Sequence, residues 1–211
     1  MYIDILNLEI EDSTYVRMKK YLEILMFWQK SLNLISKDTI ADAWQRHFLD
    51  SLQLLPVIKS IEESHNWQDK PLNIFDLGSG AGFPGLVLAI VDTKNQYYLI
   101  ESNSKKTAFL AEVVRVVGLN NVVIINQRIK DFATQNIKAD IITSRGLTKL
   151  DSLVVSLRLL GEVDSVGLFL KGQNYQQEIE DLKDKNQDLN LKISTKPSLI
   201  NNDSRIIVVN S

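Results

Sequence analysis

Apolar residues change their spacing near residue 70. Upstream, they recur at helical intervals: Met18, Tyr21, Leu22, Leu25 and Met26 form one stripe. Phe48, Leu52, Leu55 and Ile58 form a second, with Pro56 near a break. Downstream, short apolar runs alternate with amphipathic stretches. Leu72 to Leu77 reads as a buried parallel strand, followed by strands over Gln96 to Ile100, Val122 to Ile125, Ala139 to Thr143 and Val163 to Leu170. Ser104 to Gly118 predicts a helix with Thr107, Leu110, Ala111, Val114 and Val117 on its apolar face and a glycine at its end. Leu147 to Leu160 predicts another helix, and Tyr175 to Lys185 a charged one. Leu189 to Ile193 and Arg205 to Val209 are expected to pair as antiparallel strands at one edge of the sheet.

Alternation of strands and helices implies an α/β fold whose parallel sheet is covered on both faces. Ligands of such sheets bind where the carboxyl ends of the strands meet the switch in strand order. The pattern divides the chain into an N-terminal helical segment, residues 1–69, packed on a core of residues 70–211. Glu62 to Pro71 is the polar connector, and Trp28, Trp44 and Trp67 are expected at the junction with the sheet.

The first predicted strand runs into Gly78-Ser-Gly80-Ala-Gly82-Phe83-Pro84-Gly85. Three alternate glycines let a ligand approach the backbone, and Pro84 suits the first turn of a helix. Strand, loop and helix start together expose amide donors to an anionic or polar ligand. The loop by itself fits a dinucleotide, S-adenosylmethionine or a tight turn only. No Gly-Lys-Ser/Thr follows it, which argues against a kinase-type P-loop. Glu101, at the tip of the second strand, has the position of a carboxylate that accepts both ribose hydroxyls, or of a helix cap.

Composition narrows the chemistry. The 211 residues carry a net charge of −2, so any RNA contact must use a local basic face rather than the whole molecule. Arg17, Lys19, Lys20, Lys30, Lys37 and Arg46 are candidates, with Lys105 and Lys106 added if the fold brings them near. There is no cysteine, and His47 and His65 lie far apart, so neither a disulfide nor a metal site is expected. No apolar stretch is long enough to span a bilayer and no signal-peptide pattern opens the chain, so a cytoplasmic, non-membrane protein is expected.

The motifs resemble a known family. Asp76-Leu-Gly-Ser-Gly-Ala-Gly-Phe-Pro-Gly85, Arg46-His-Phe-Leu-Asp-Ser51, Glu101-Ser102, Ser144-Arg-Gly146 and Leu170-Lys-Gly172 match, in order, the small-subunit rRNA guanine-N7 methyltransferase G family, also called glucose-inhibited division protein B. The match runs from about Trp28 to Gly172, with Asn33-Leu34 included. Gln29 stands where the family often has Asn, and Gly146 where alanine is common.

The resemblance implies a Rossmann-like class I methyltransferase sheet with an N-terminal helical extension. It implies S-adenosyl-L-methionine held by Gly78, Gly80, Phe83, Glu101, Ile129, Lys130 and Arg145. The substrate implied is N7 of a guanine, guanine-527, in 16S rRNA or the small ribosomal subunit. A monomer is expected.

No catalytic residue is required by such a reaction, since N7 carries a lone pair and no proton; Arg145 and His47 are the candidates. His47 and Asp50 fall on neighbouring helical turns and could act as an acid–base pair or as an interdomain lock. Arg145 could instead form a salt bridge to Asp140 or Asp76, and Phe83, Phe48 or Arg145 could stack on the target base. Two other readings fit parts of the pattern. One is an NAD-dependent oxidoreductase, whose third glycine would fall where Phe83 stands; the other is a non-catalytic ribosome-assembly RNA-binding protein.

Overall fold

The computed structural model describes residues 2–5, 8–185 and 191–210. β1 (Tyr2–Ile5) and β2 (Leu8–Glu11) form an antiparallel hairpin, so the N-terminal segment is not purely helical as expected. The two-residue alternation Leu8-Glu9-Ile10-Glu11 carries that signal, in a run too short to stand out. α1 (Asp12–Gln29) follows and buries Met18, Tyr21 and Leu25. After a 3₁₀ turn (Lys37–Thr39), the chain winds as a π-helix over Trp44–Leu49 and continues through the single turn α2 (Asp50–Leu52) into α3 (Leu55–Ser64). Pro56 sits in the first turn of α3, where its missing N–H costs nothing.

The Rossmann-like part alternates as read. It comprises β3 (Asn73–Leu77), α4 (Gly85–Val91), β4 (Gln96–Ile100), α5 (Ser104–Val117), β5 (Val122–Ile125), α6 (Ile129–Phe132), β6 (Ala139–Arg145), α7 (Leu150–Leu160) and β7 (Gly161–Lys171). α8 (Tyr175–Lys185) leads on to β8 (Lys192–Pro197) and β9 (Arg205–Asn210). The seven strands lie in the order β5-β4-β3-β6-β7-β9-β8. The first five are mutually parallel, β9 runs antiparallel to β7, and β8 antiparallel to β9. The antiparallel β9–β8 pair closes one side of the sheet with β8 outermost, and β5 is the opposite edge; Leu189, where the first of that pair was expected to begin, lies outside the described residues. The order reverses beside β3, which puts the switch point at its carboxyl end.

Successive strand residues face opposite layers. Ile74, Leu99, Ile141 and Leu168 join the core under α1, α3, α4 and α5. Phe75, Ile100, Ile142 and Phe169 join the core under α7 and α8. In α5 the buried face is Thr107, Phe109, Leu110, Val113 and Val117, while Ala111 faces solvent. The expected face is rotated because α1 lies across this helix: the Phe109 ring contacts Trp28 at 5.9 Å and Tyr21 at 6.3 Å between centroids. Trp44 stacks on Phe48 at 5.0 Å, and Trp67 packs partly buried at the same core.

Gln29 is the last residue of α1. Its side chain accepts from the N–H of Leu34 and Ile35 and donates to the Ile35 carbonyl, closing the loop after α1. Phe109, fully buried between α1 and α5, anchors the helical layer to the sheet. Phe109→Ala is expected to cost about 3–5 kcal/mol. Urea unfolding measures this, and a loss under about 1 kcal/mol would contradict the packing described.

Candidate functional site

The loop after β3 is shaped by backbone bonds and by what crowds it. The N–H groups of Gly78 and Ser79 both donate to the Ile100 carbonyl, at 2.9 and 3.2 Å, tying the loop to the end of β4. Gly78 has φ +64°, and a Cβ there would come within 2.4 Å of the Leu147 side chain. The Tyr21 hydroxyl of α1 donates to the Ala81 carbonyl, so the N-terminal helix also holds the loop. Below it, Asp76 is fully buried and accepts from the Gly85 N–H at 3.2 Å and the Thr143 hydroxyl at 3.0 Å. Burial pushes its carboxyl up to about 6 despite these donors.

Four strand-end loops then enclose a cavity of about 670 Å³, within the range of cofactor pockets. Gly78 to Gly80 come from β3, Glu101 and Ser102 from β4, Gln127 to Ile129 from β5, and Arg145 to Leu147 from β6. Glu101 Oε2 accepts from the Gly80 N–H at 3.0 Å and Oε1 from the Asn103 N–H at 2.8 Å. Each oxygen retains a lone pair, so the carboxylate is fixed in place and still able to accept from a ligand hydroxyl. Gly80 leaves open space on the cavity side: a Cβ there would meet nothing nearer than 3.7 Å. An open backbone cradle, a fixed carboxylate and an apolar wall at Ile129 fit S-adenosylmethionine, with its amino acid, ribose and adenine parts.

Phe83 forms the floor of the opposite end. Its ring stacks on Tyr21 at 5.3 Å and on His47 at 5.1 Å, and the Arg145 guanidinium lies 4.9 Å from its centroid. Arg145 Nη1 donates to the Arg46 carbonyl at 3.1 Å and approaches Asp50 Oδ2 at 3.4 Å. Burial lowers the pKa of Arg145, and Asp50 offsets part of that cost. Neither carboxylate expected as an alternative partner bonds to it: Asp140 pairs with Lys70 at 2.7 Å, and Asp76 bonds as above.

His47 and Asp50 are not an acid–base pair. His47 Nε2 meets Thr39 Oγ1 at 2.9 Å, and that hydroxyl donates to the Ser36 carbonyl, so Nε2 carries the proton and donates. Nδ1 is buried without a protein partner. Burial, then the charges of Arg145 and Arg46, lower the His47 pKa from 6.5 to about 3, leaving it a neutral ring. Asp50 Oδ1 instead accepts from Gln53 at 2.7 Å. A second, smaller cavity of about 220 Å³ opens here, lined by Thr39, Arg46, His47, Asp50 and Lys171 and sharing Arg145 and Gly146 with the first.

The structure brings Gly78, Gly80, Phe83, Glu101, Ile129 and Arg145 together around the larger cavity. Lys130 is exposed and stays outside its wall, because α6 turns it away after Ile129. Phe48 is wholly buried behind Phe83, so it cannot stack on a substrate base. Lys106, Arg128 and Leu147 line the cavity without having been singled out for it. Only Lys106 had a local signal, its place in the first turn of α5 after the cap Asn103. Of the cations considered for an RNA face, Lys19 lies 4.4 Å over the Trp44 ring. Among the described residues no group of three His, Asp or Glu could hold a metal ion, and no helix is long and apolar enough to cross a membrane.

The family model described as rRNA small subunit methyltransferase G matches residues 14–207. The chain is 40% identical over 174 residues to ribosomal RNA small subunit methyltransferase G of Orientia tsutsugamushi (strain Ikeda), covering 82% of this chain and 80% of that one. It is also 40% identical over 191 residues to the protein of that name from Paramagnetospirillum magneticum, covering 90% and 85%. Among solved structures it is similar to a ribosomal protein L11 methylase from Lactobacillus delbrueckii subsp. bulgaricus, with TM-score 0.56, 15% identity, and 79% and 78% of the two chains covered. The Methanococcus jannaschii fibrillarin pre-rRNA processing protein gives TM-score 0.55 at 15% identity, over 67% and 66%. At such identities the likeness is one of fold.

A neutral His47 makes a prediction about acid. In the unfolded chain its imidazole takes up a proton near pH 6.5, whereas in the folded protein it does so only near 3. Its contribution to stability is therefore complete above pH 6.5 and is lost as pH falls toward 3. The His47 ring signals in NMR should stay those of neutral imidazole down to about pH 4, and His47→Gln should flatten this part of the acid-unfolding curve. Titration of His47 near pH 6.5 would overturn it.

Proposed function

The chain belongs to the rRNA small subunit methyltransferase G family, and on that premise we propose that it methylates N7 of a guanine in 16S rRNA. Its fold is the Rossmann-like sheet of class I methyltransferases, its cofactor is S-adenosylmethionine, and its substrate is small-subunit rRNA. The observation that carries the reading is the convergence of four strand-end loops on one cavity, with Glu101 fixed by backbone donors at one end and Arg145 over Phe83 at the other.

Glu101 is assigned to the ribose hydroxyls, Gly78 and Gly80 to the close backbone approach, Ile129 to the adenine wall, and Phe83 with Arg145 to the methyl-donating end. When bound, S-adenosylmethionine supplies a methyl carbon activated by a sulfonium, which the N7 lone pair takes up while sulfur keeps the electrons of the broken bond. N7 has no proton to lose, so no general base is needed, in keeping with a neutral His47 that lacks a carboxylate partner. The residues act by alignment. Fixing both reactants in line supplies about 7–11 kcal/mol when the geometry is good, and Glu101 and Arg145 are each held by groups that restrict their movement. On this reading the protein works as a monomer in the cytoplasm, on 16S rRNA or the small subunit. The family points to guanine-527 as the base modified.

Titration calorimetry should give heat with S-adenosylmethionine and none with NAD. Glu101→Ala should weaken cofactor binding about 10–100-fold, the loss of hydrogen bonds to a charged acceptor. Borohydride–aniline cleavage of 16S rRNA should detect one N7-methylated guanine that disappears in a deletion strain. An unchanged cleavage pattern would leave only the non-catalytic reading.

A further inference from the structure

The smaller cavity, about a third of the volume of the larger, has no assigned occupant. Its walls come from the π-helical turn, from Arg145 and Gly146 at the end of β6, and from Lys171 and Gly172 at the end of β7. Because Arg145 and Gly146 belong to both cavities, whatever fills the smaller one lies against the methyl-donating end of the cofactor site.

Asp50 is the group in this wall with acceptor capacity to spare. Its side chain is 15% exposed. Oδ1 accepts once, from Gln53 at 2.7 Å, and Oδ2 once, from Arg145 at 3.4 Å. An ionised carboxylate offers about four acceptor sites, which leaves about one on each oxygen. Gln53 is itself held, since its carbonyl accepts from the Leu199 N–H at 2.8 Å, so the carboxylate is braced on both sides. His47 adds a neutral ring with an unpartnered acceptor at Nδ1, and it is 8% exposed. The Lys171 ammonium is already engaged by the Thr148 carbonyl at 2.8 Å and Glu178 at 2.7 Å.

We propose that this cavity receives the target guanine and that Asp50 reads its Watson–Crick edge, accepting from N1–H and from the N2 amine. This rests on the guanine-N7 reading above and adds the means of choosing the base. Guanine presents two adjacent donors on that edge; adenine presents an acceptor at N1 and would face the carboxylate with a lone pair. Held by N1 and N2, the purine keeps N7, across the ring system, free of the protein contacts that read it.

The same contact assists the reaction. Methylation at N7 leaves the purine with a positive charge, which makes N1–H a stronger donor. Its bond to Asp50 therefore strengthens as the charge develops, the kind of interaction that lowers a barrier rather than only tightening binding. Asp50 is thus a specificity-determining residue that touches the substrate. Its bond to Arg145 gives it a fixed orientation toward the base.

The test uses 16S rRNA assembled into small subunits, with guanosine or inosine at the mapped position. Inosine keeps N1–H, O6 and N7 and lacks only the N2 amine. The wild-type enzyme should prefer guanosine in kcat/KM by about 5–100-fold. Asp50→Asn, in which an amide N–H faces N1–H, should lower kcat on guanosine and bring the guanosine-to-inosine ratio near one. Because Asp50 also pairs with Arg145, cofactor affinity is measured by calorimetry beside the preference, which at saturating cofactor is a ratio of two kcat/KM values and does not depend on that affinity, and Asp50→Ser should repeat the loss of preference. A wild-type ratio near one overturns the assignment whatever the variants do. Variants that bind cofactor and keep the wild-type preference overturn the role of Asp50. A wild-type enzyme that binds the cofactor but leaves guanosine subunits unmethylated sinks the guanine-N7 reading itself, and this assignment with it.

Discussion

A guanidinium taken out of water must find anions and carbonyls close by, and Arg145 finds them in a different part of the chain from the strand that carries it. Its partners are the Arg46 carbonyl in the π-helical turn and Asp50 at the start of α2, and its flat face rests on Phe83 in the glycine loop. Strand β6, the N-terminal segment and the glycine loop thereby meet at one side chain. Without the N-terminal segment the charge would stay buried and uncompensated, so the site depends on the docking of the N-terminal helices.

The glycine loop is constrained in the same manner, from above as well as below. Tyr21 bonds to the Ala81 carbonyl from α1, while the buried carboxyl of Asp76 ties the loop's two ends to α4 and β6. A Cβ on Gly82 would lie 2.7 Å from the Tyr21 oxygen, so the loop and α1 approach more closely than a side chain permits. The N-terminal helix is accordingly part of the glycine loop's construction rather than an appendage. Rigid support of this kind is what an alignment-driven reaction requires.

The parallel strands were legible because buried strands leave continuous apolar runs, and the loop because three glycines at a strand end have few other uses. What stayed hidden was decided by contacts between distant segments. The apolar face of α5 is set by α1 lying across Phe109, which no window centred on residues 104–118 contains. The π-helical turn has no sequence signature of its own. Phe48 reads as an aromatic ready to stack, yet Phe83 and Tyr21 cover it. Lys130 was separated from Ile129 only by the direction in which α6 turns. Arg145 drew notice from its position at the end of the fourth parallel strand, whereas its partner Asp50 lies 95 residues earlier.

Arg145 borders two cavities, and that has a thermodynamic consequence. An occupant of either chamber that shifts the guanidinium changes what the other meets, and the two affinities change by one common factor. Reciprocity of this kind ties the two occupancies together, whichever chamber fills first. A single shared side chain would then make the filling of one chamber felt in the other.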